Sequence, residues 1–270
     1  MSEPSSGLSS DLSSPELPAD VRARTLAHFE DHRRAWQSNP ALRICYGHWY
    51  RRLREAMPSR DLGPWIEIGS GPGFARDFIP GLVLTDVVQA PWHEHRMSAE
   101  ALPFADGGVG ALMLFDVLHH LAVPAAFFAE AVRVLRPGGR IVLCEPYISP
   151  ISRWVYRRFH PEPVDMSVDP LAAKAEGVDA AKDPFASNQA TPTLIFCRDK
   201  ARKFSRMFPQ LKILRIERLA GLAYPASGGF SRGPLLPMLF WRGLYALENL
   251  LPPMAFRLLG FRMLVIIERR

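Results

Sequence analysis

The sequence contains little cysteine and no long apolar run, and these shortages exclude whole classes of protein. Its three cysteines stand far apart, with no Cys-x-x-Cys pair and no Cys/His spacing typical of a zinc site. We therefore expect buried, reduced thiols and no metal centre. No stretch reaches about 18 uninterrupted apolar residues, and the N-terminus lacks the basic start and apolar run of a signal peptide. These absences predict a cytoplasmic location, with peripheral membrane contact left open.

The chain of 270 residues can bury roughly 70–75% of its unfolded surface, which favours one domain with insertions. Residues 1–19 are rich in Ser, Pro and acidic side chains, so we predict a disordered tail there and a single domain over 20–270. The net charge of +6 suits an anionic partner, although a solvated arginine-rich surface explains it equally well. No segment resembles a nucleic-acid-binding module, which disfavours nucleic acid as the partner.

A glycine-rich turn follows the first apolar run, and the rest of the chain is organised around it. The stretch 65–73 reads Trp-Ile-Glu-Ile-Gly-Ser-Gly-Pro-Gly, which predicts a short buried strand and a sharp turn toward a helix. Glycines permit left-handed backbone and let a ligand approach closely. The third glycine comes one position earlier than in the dinucleotide-binding pattern Gly-x-Gly-x-x-Gly, and Glu67 would repel a pyrophosphate. An ammonium or sulfonium group suits the Glu67 carboxylate better.

This turn resembles the first motif of the class I S-adenosylmethionine-dependent methyltransferases, in which a hydrophobic run precedes Glu/Asp-x-Gly-x-Gly-x-Gly. Later segments agree with that family in the same order, and the resemblance covers about half of the chain. It points to the branch of methyltransferase type 11 and the ubiquinone-biosynthesis enzymes. The later segments are Leu82–Asp86, Ser98–Phe104, Ala111–Leu121 and Val134–Leu143.

The resemblance implies an α/β fold with a seven-stranded, mostly parallel Rossmann-like sheet whose last strand is antiparallel. Ile213–Leu219 and Phe261–Glu268 would supply the sixth and seventh strands, so the fold would close at the C-terminus. Residues 20–57 have helical spacing and are expected to form N-terminal helices that cover the donor as a lid, with plain packing as the alternative. Residues 148–208 and 222–259 would add a helical cap.

The resemblance also implies S-adenosylmethionine as the cofactor, bound along the carboxyl ends of the strands. Asp86 would hold the ribose hydroxyls, with Glu94 as the substitute because the spacing from Gly73 to Asp86 is short. Ser98 stands where many relatives have an aspartate, and it would face the adenine together with Ala99. The donor-binding residues expected in this way are Glu67, Gly69, Ser70, Gly71, Gly73, Asp86, Ser98, Ala99, Glu100 and Asp116.

Three residues are candidates for removing a proton from the acceptor. An unperturbed histidine titrates near 6.5, so His119 suits a general base, with shaping of the donor pocket as the alternative. His120 stands where the family very commonly has a structural histidine. Glu145 and Tyr147 follow the fifth strand, whose carboxyl end is where open α/β folds bind ligands. We therefore expect both to face the acceptor.

The apolar block Phe230–Leu259 is larger than a connection between two strands requires. Its helices either line a hydrophobic acceptor pocket or expose an apolar face to a membrane surface. The helix predicted over 152–160 carries three arginines that would bind an acidic group or remain solvated. Aromatic residues expected to contact the acceptor are Tyr46, Trp49 and Tyr156.

These patterns together predict methyl transfer to an oxygen or carbon of a small hydrophobic acceptor, without a metal. A phenol or quinone, a lipid-like molecule and a chain linked to a carrier protein all fit this description. A protein that binds the donor but has lost catalysis, or serves regulation, is the alternative. An RNA or protein methyltransferase is a further one. The glycine spacing and Glu67 disfavour a nicotinamide-dependent dehydrogenase.

Overall fold

The computed structural model describes residues 17–172, 186–197 and 200–270, so most of the predicted tail, residues 1–19, lies outside the described residues. Within them, seven strands form one sheet in the order β3-β2-β1-β4-β5-β7-β6, with β7 antiparallel to both of its neighbours. This topology confirms the predicted α/β class and the antiparallel last strand. The strands are β1 (Trp65–Ile68), β2 (Leu82–Asp86), β3 (His95–Arg96), β4 (Val109–Phe115), β5 (Leu135–Pro146), β6 (Leu211–Leu219) and β7 (Arg262–Arg269).

Helices cover both faces of this sheet in the described part of the chain. The two predicted cap segments contain α4 to α6 and α7 to α9 respectively, and residues 173–185 and 198–199 of the first segment lie outside the described residues. The helices are α1 (Ala19–Ser38), α2 (Pro40–Ala56), α3 (Pro124–Val134), α4 (Pro150–Phe159), α5 (Thr191–Phe196), α6 (Lys200–Met207), α7 (Ala223–Ala226), α8 (Met238–Asn249) and α9 (Phe256–Leu259).

The centre of the sheet determines where a ligand can bind. Every residue of β4 is buried, as expected for a strand with helices on both faces. Strand β1 pairs with β2 on one side and with β4 on the other, so the strand order reverses between β1 and β4. A crevice opens at the carboxyl ends of strands at such a point. The glycine turn begins there, and Pro80 and Gly81 limit the next helix to a short 3-10 segment, Phe74–Asp77.

The two faces of the sheet belong to different core clusters. One cluster joins α2, α4 and α8, and the other joins α3, α5 and α6. In β1, Ile66 and Ile68 join the second cluster, so Glu67 between them points toward the α2, α4 and α8 side. The three cysteines are buried thiols, and Cys197 Sγ accepts from Arg218 Nη2 at 3.7 Å.

The predicted pair of N-terminal helices is present, and α1 lies over the glycine turn. Arg33 of α1 donates a hydrogen bond to Pro72 O at 3.1 Å. Asn39 lies between the two helices and caps α2, because its Oδ1 accepts from Leu42 N at 3.1 Å. Its Nδ2 also donates to Ser227 O at 2.8 Å, which ties the helix junction to the C-terminal cap. This position suits a lid over the crevice.

Candidate functional site

A cavity of about 1320 Å³ opens at the carboxyl ends of β1 and β4, beneath α1. Most of the predicted site residues line it, although they lie as far apart in the sequence as Tyr46 and Tyr156. Aromatic side chains form much of the remaining wall. The predicted residues that line the cavity are Tyr46, Glu67, Gly69, Ser70, Gly71, Asp86, Ser98, Ala99, Glu100, Asp116, His119 and Tyr156.

The backbone of the glycine turn is held from both sides. Gly71 has a φ of +49° and donates its N–H to Asp86 Oδ2 at 2.9 Å. Its carbonyl accepts from Trp92 Nε1 at 2.7 Å and from His93 Nε2 at 2.8 Å. Gly73 begins the 3-10 turn outside the cavity lining, with Trp92 against its α-carbon. The sequence motif located the turn. The hydrogen bonds from Trp92 and His93 to the turn depend on how the loop after β2 folds, and no sequence pattern predicted them.

Asp86 ends β2 and faces the cavity, as predicted from its position in the motif. Its Oδ1 accepts from Val88 N at 2.9 Å, so both carboxylate oxygens already bond backbone N–H groups. Each oxygen keeps a second lone pair for a ligand hydroxyl. Burial raises the pKa of Asp86, while nearby His93 and these backbone bonds oppose the rise. Glu94, the predicted substitute, bonds Leu84 N and Arg76 and lies outside the cavity lining.

Glu67 is the residue in the cavity wall that most clearly lacks a polar partner. It is 2% exposed, and its Oε2 has no hydrogen-bond partner. Burial raises the pKa of Glu67 to about 8. An unsatisfied buried oxygen is costly, so a cationic group placed beside it would restore both its hydrogen bond and its charge. Ser70 next to it accepts from Thr85 N at 3.0 Å, which fixes the turn against β2.

The predicted adenine-side segment also lines the cavity. Ser98 Oγ accepts from Glu100 N at 3.2 Å, and Glu100 Oε1 accepts from Val123 N at 2.6 Å. These bonds join the segment to the start of α3. The wall therefore has a fixed backbone at Ser98 and Ala99, where the sequence predicted contact with the donor.

His119 lies between two carboxylates, and this setting argues against the general-base role predicted for it. Its Nδ1 donates to Glu145 Oε2 at 2.7 Å, and its Nε2 lies 3.5 Å from Glu162 Oε2. Burial lowers the pKa of His119, but the bonds with Glu145 and Glu162 outweigh burial and raise that pKa to about 9. The ring is therefore a cation at neutral pH and has no free lone pair with which to accept a proton. Glu162 carried no sequence signal.

Glu145 and Tyr147 do not face the acceptor side, in contrast to their predicted catalytic roles. Glu145 is fully buried, and its Oε1 accepts from Val117 N and Leu118 N, both at 2.8 Å. It therefore positions the loop that carries His119. Tyr147 belongs to the core cluster of the α3, α5 and α6 side, and its hydroxyl lies 3.4 Å from Arg257 O.

An ion pair between a buried arginine and a partly exposed aspartate, which the sequence did not predict, forms the wall beside β4. Asp116 has a left-handed φ of 58° and pairs with Arg262 of β7. Arg262 also donates to Tyr224 Oη at 2.8 Å and lies over the ring of Trp49, 5.3 Å from its centroid. Trp49 is thus part of the core beneath the cavity and not of its lining, although it was expected to contact the acceptor. The pairing joins residues 146 positions apart, which no local pattern reveals.

The apolar block contributes both to the core and cavity wall and to the exposed surface. Trp241 is fully buried, and its Nε1 donates to Ala223 O at 2.8 Å. Phe230 and Leu244 line the cavity. Large side chains on the outer face of α8, in contrast, are exposed.

Part of the chain matches one known protein family. Residues 67–143 match the family described as Methyltransferase domain. A probable S-adenosylmethionine-dependent methyltransferase of Mycolicibacterium smegmatis is 32% identical over 113 residues, which are 36% of this chain and 42% of the relative. The demethylmenaquinone methyltransferase of Tropheryma whipplei is 32% identical over 83 residues, which are 28% of this chain and 35% of the relative. The chain thus covers less than half of these relatives.

Among solved structures, a complex of the Haloferax volcanii Trm112 methyltransferase activator with a methyltransferase is similar in fold. The match has a TM-score of 0.51 and 14% sequence identity, and it covers 92% of this chain and 97% of the other. At this identity the likeness concerns the fold alone.

Proposed function

Because the chain belongs to the class I methyltransferases, with residues 67–143 as its matched methyltransferase domain, we propose that it transfers the methyl group of S-adenosylmethionine to a hydrophobic acceptor. The unpartnered Glu67 Oε2 at the cavity wall is the observation that carries this proposal. It lies beside the glycine turn, at the carboxyl end of β1, where such folds bind their ligands.

The residues present fit such a donor. Glu67 offers a buried carboxyl oxygen to its ammonium group, and Asp86 offers lone pairs to hydroxyls of its ribose. Gly69 and Gly71 keep the wall free of side chains, and Ser98 and Ala99 lie where the adenine would be held. When bound, the donor supplies an electrophilic methyl group on a sulfonium whose positive charge disappears during transfer.

The chain contributes alignment and exclusion of water. Phe29, Phe74 and Phe115 line the cavity together with Tyr46 and Tyr50, so aromatic rings limit the access of water to part of it. Alignment of two reactants in such a site supplies roughly 7–11 kcal/mol in favourable cases. The loss of a full positive charge is favoured where water is excluded.

The acceptor is proposed to be a phenol or quinone, or a lipid-like molecule. The cavity of about 1320 Å³ is larger than the roughly 300–1,000 Å³ typical of one small ligand. Apolar residues Val155, Leu222 and Leu244 line its outer part. The similarity to the demethylmenaquinone methyltransferase of Tropheryma whipplei supports the quinone class, although it covers only 28% of this chain. An acceptor tethered to a carrier protein is the second candidate, favoured by the exposed arginines of α4.

Through its Nε2–H, which is only weakly engaged at 3.5 Å from Glu162 Oε2, His119 is proposed to act as a hydrogen-bond donor to the acceptor. Its ring lines the cavity, and the two neighbouring carboxylates keep it protonated. A cationic donor stabilises the oxygen anion that a phenol or enol becomes once its proton has passed to solvent, before the methyl group is transferred. In this role Glu145 is a positioning residue, because it acts through His119.

Titration calorimetry with S-adenosylhomocysteine, the demethylated donor, tests the proposed function. We expect one binding site and no heat on titration with NAD. Binding of NAD without binding of S-adenosylhomocysteine would contradict the proposal. Binding without turnover on any acceptor would favour a regulatory protein that retains the donor site.

Binding of S-adenosylhomocysteine is expected to tighten as the pH rises from about 6 to 7.5, by at most about tenfold per pH unit. Glu67, whose pKa in the free protein is about 8, has to lose its proton before it pairs with the ligand's ammonium group. Deprotonation therefore becomes less costly as the pH increases. Calorimetry at several pH values, in buffers of different ionisation enthalpy, measures both the affinity and the released proton.

Glu67→Gln is the matched control for this linkage, since the amide has the same shape and does not titrate. Its affinity should be weaker at neutral pH and nearly independent of pH over the same range. If the parent protein bound with a pH-independent affinity and released no proton, Glu67 would not be the partner of the ammonium group.

A further inference from the structure

The outer face of α8 is an apolar stripe exposed to solvent. Leu239, Leu247 and Leu250 are 77%, 66% and 81% exposed. Gly243 is also exposed, and the spacing 239, 243, 247 and 250 places these residues on one side of the helix. Soluble helices normally direct such a stripe toward the core. On α8 the buried positions are instead Trp241 and Glu248.

A second exposed apolar cluster lies on α4. Trp154 and Phe159 are 65% and 69% exposed, and their rings pack edge to face at 5.8 Å. Helix α4 contacts α9, whose Leu258 is also exposed. We call these two clusters the docking surface, which consists of Trp154, Phe159, Leu239, Phe240, Leu247, Leu250, Met254 and Leu258.

This docking surface continues into the cavity. Phe159 both belongs to the exposed cluster and lines the cavity, and the exposed Leu222 and Leu235 also line it. Val155 of α4 and Leu244 of α8 line the same cavity from two different helices. The two helices therefore flank an apolar path from the protein surface to the site.

The segments that form the docking surface carry mostly positive charge. Residues 150–159 and 228–260 contain six arginines and a single acidic residue, Glu248. Glu248 is turned inward, where it accepts from Gly221 N at 2.7 Å and from Ala223 N at 2.8 Å. The arginines, all exposed, are Arg153, Arg157, Arg158, Arg232, Arg242 and Arg257.

Exposed apolar side chains together with arginines favour an anionic lipid surface as the partner over a second copy of the chain. In a twofold dimer the same patch faces itself, which would place the arginines of one copy against those of the other. A bilayer takes the leucine and tryptophan side chains into its interfacial region while its phosphates meet the arginines. Within residues 17–172, 186–197 and 200–270, no helix combines the length and hydropathy needed to cross a bilayer.

We propose that the docking surface binds the face of an anionic lipid bilayer, with the cavity mouth directed at the membrane. An acceptor dissolved in the bilayer then reaches the site along the apolar path between α4 and α8. The statement about the acceptor rests on the proposed methyl transfer, whereas the membrane contact does not.

Sedimentation of the full chain with vesicles tests this contact. We expect binding to phosphatidylcholine vesicles that contain phosphatidylglycerol, weaker binding to phosphatidylcholine alone, and loss of binding at high salt. The double change Leu239→Ser and Leu247→Ser should weaken binding by about tenfold or more, since both side chains would leave the lipid. Arg157→Gln should weaken it by about fivefold on anionic vesicles.

Controls come from α6, which packs on the other side of the sheet. Met207 there is 40% exposed, so Met207→Ser and Arg206→Gln match the apolar and the charge changes and should leave vesicle binding unaltered. S-adenosylhomocysteine titration without vesicles shows that each variant is folded and keeps the donor site. Loss of donor binding in the parent protein, with vesicle binding intact, would defeat the proposed function and not the docking.

Two results would overturn the docking proposal. One is the absence of binding to any vesicle, or binding that the leucine changes leave unaltered. The other is a dimer, detected by light scattering, that the same leucine changes dissociate.

Discussion

Gly69→Val is expected to reduce the affinity for S-adenosylhomocysteine by at least about 100-fold. Gly69 has a φ of +66°, and a Cβ added there would lie 2.5 Å from Val117 Cγ2. Val117 cannot move away easily, because its N–H donates to the buried Glu145 at 2.8 Å. The left-handed backbone strain and the overpacking together cost about 2–6 kcal/mol. This cost would appear partly as a lower folding stability and partly as weaker donor binding. Calorimetry on the folded variant, checked by circular dichroism, measures the effect.

Gly233→Val is the matched control for this substitution. A Cβ at Gly233 meets nothing within 4 Å, so this variant should bind the donor analogue with the affinity of the parent protein. A folded Gly69→Val variant that also bound normally would show that the glycine turn does not hold the donor.

The methyl transfer rate at saturating donor is expected to stay constant from about pH 6 to 8 and to fall above about pH 9. His119 has a pKa of about 9, and its protonated form is the proposed donor to the acceptor. A general base with an ordinary histidine pKa near 6.5 would give the opposite pH dependence, because the rate would rise with pH through that value. His119→Gln should lower kcat by about 100-fold, the usual cost of removing one oxyanion donor.

His95→Gln serves as the control, since His95 lies on β3 outside the cavity lining and should leave the rate unaltered. His119→Gln also leaves Glu145 and Glu162 without their cation, so thermal unfolding should accompany the kinetics. The pH profile of the parent protein needs no variant. A rate that rose through pH 6.5 and stayed level above pH 9 would restore the general-base role of His119.

The central strands were predictable because strands buried on both faces have an apolar sequence pattern. Continuous apolar runs at β4 and β7 are what a strand covered on both faces requires, and β1 departs from this pattern only at Glu67. The glycine turn was predictable for a similar reason, since its left-handed φ values restrict the residue type. Both signals are local, and each depends on residues that are close together in the chain.

The orientation of site residues depends on a choice that the sequence leaves open. Glu145 shares a face of β5 with Ile141 and Leu143, which pack toward the α3, α5 and α6 side, and Tyr147 just beyond the strand joins the same cluster. Glu67 alternates with Ile66 and Ile68 and so points to the opposite side, where the cavity lies. Period-two alternation separates the two faces, but the face that carries the cavity is decided by helices packed from elsewhere in the chain.

The charge of His119 was equally beyond local reasoning. Its two carboxylate partners are 26 and 43 residues away, one on β5 and one beyond α4. The ion pair of Asp116 and Arg262 joins β7 to the end of β4 in the same manner. Charge pairs between groups so far apart in the chain can be identified only from the folded structure.

The most direct test of the account is to follow the methyl group itself. Purified protein is incubated with methyl-labelled S-adenosylmethionine and a total extract of its source cells, which is then separated into lipid, small-molecule, protein and nucleic-acid fractions. We predict label in hydrophobic material and its loss with Gly69→Val. Label confined to nucleic acid, to protein side chains or to water-soluble small molecules, or no transfer at all, would contradict a hydrophobic acceptor that is either free or bound to a carrier protein.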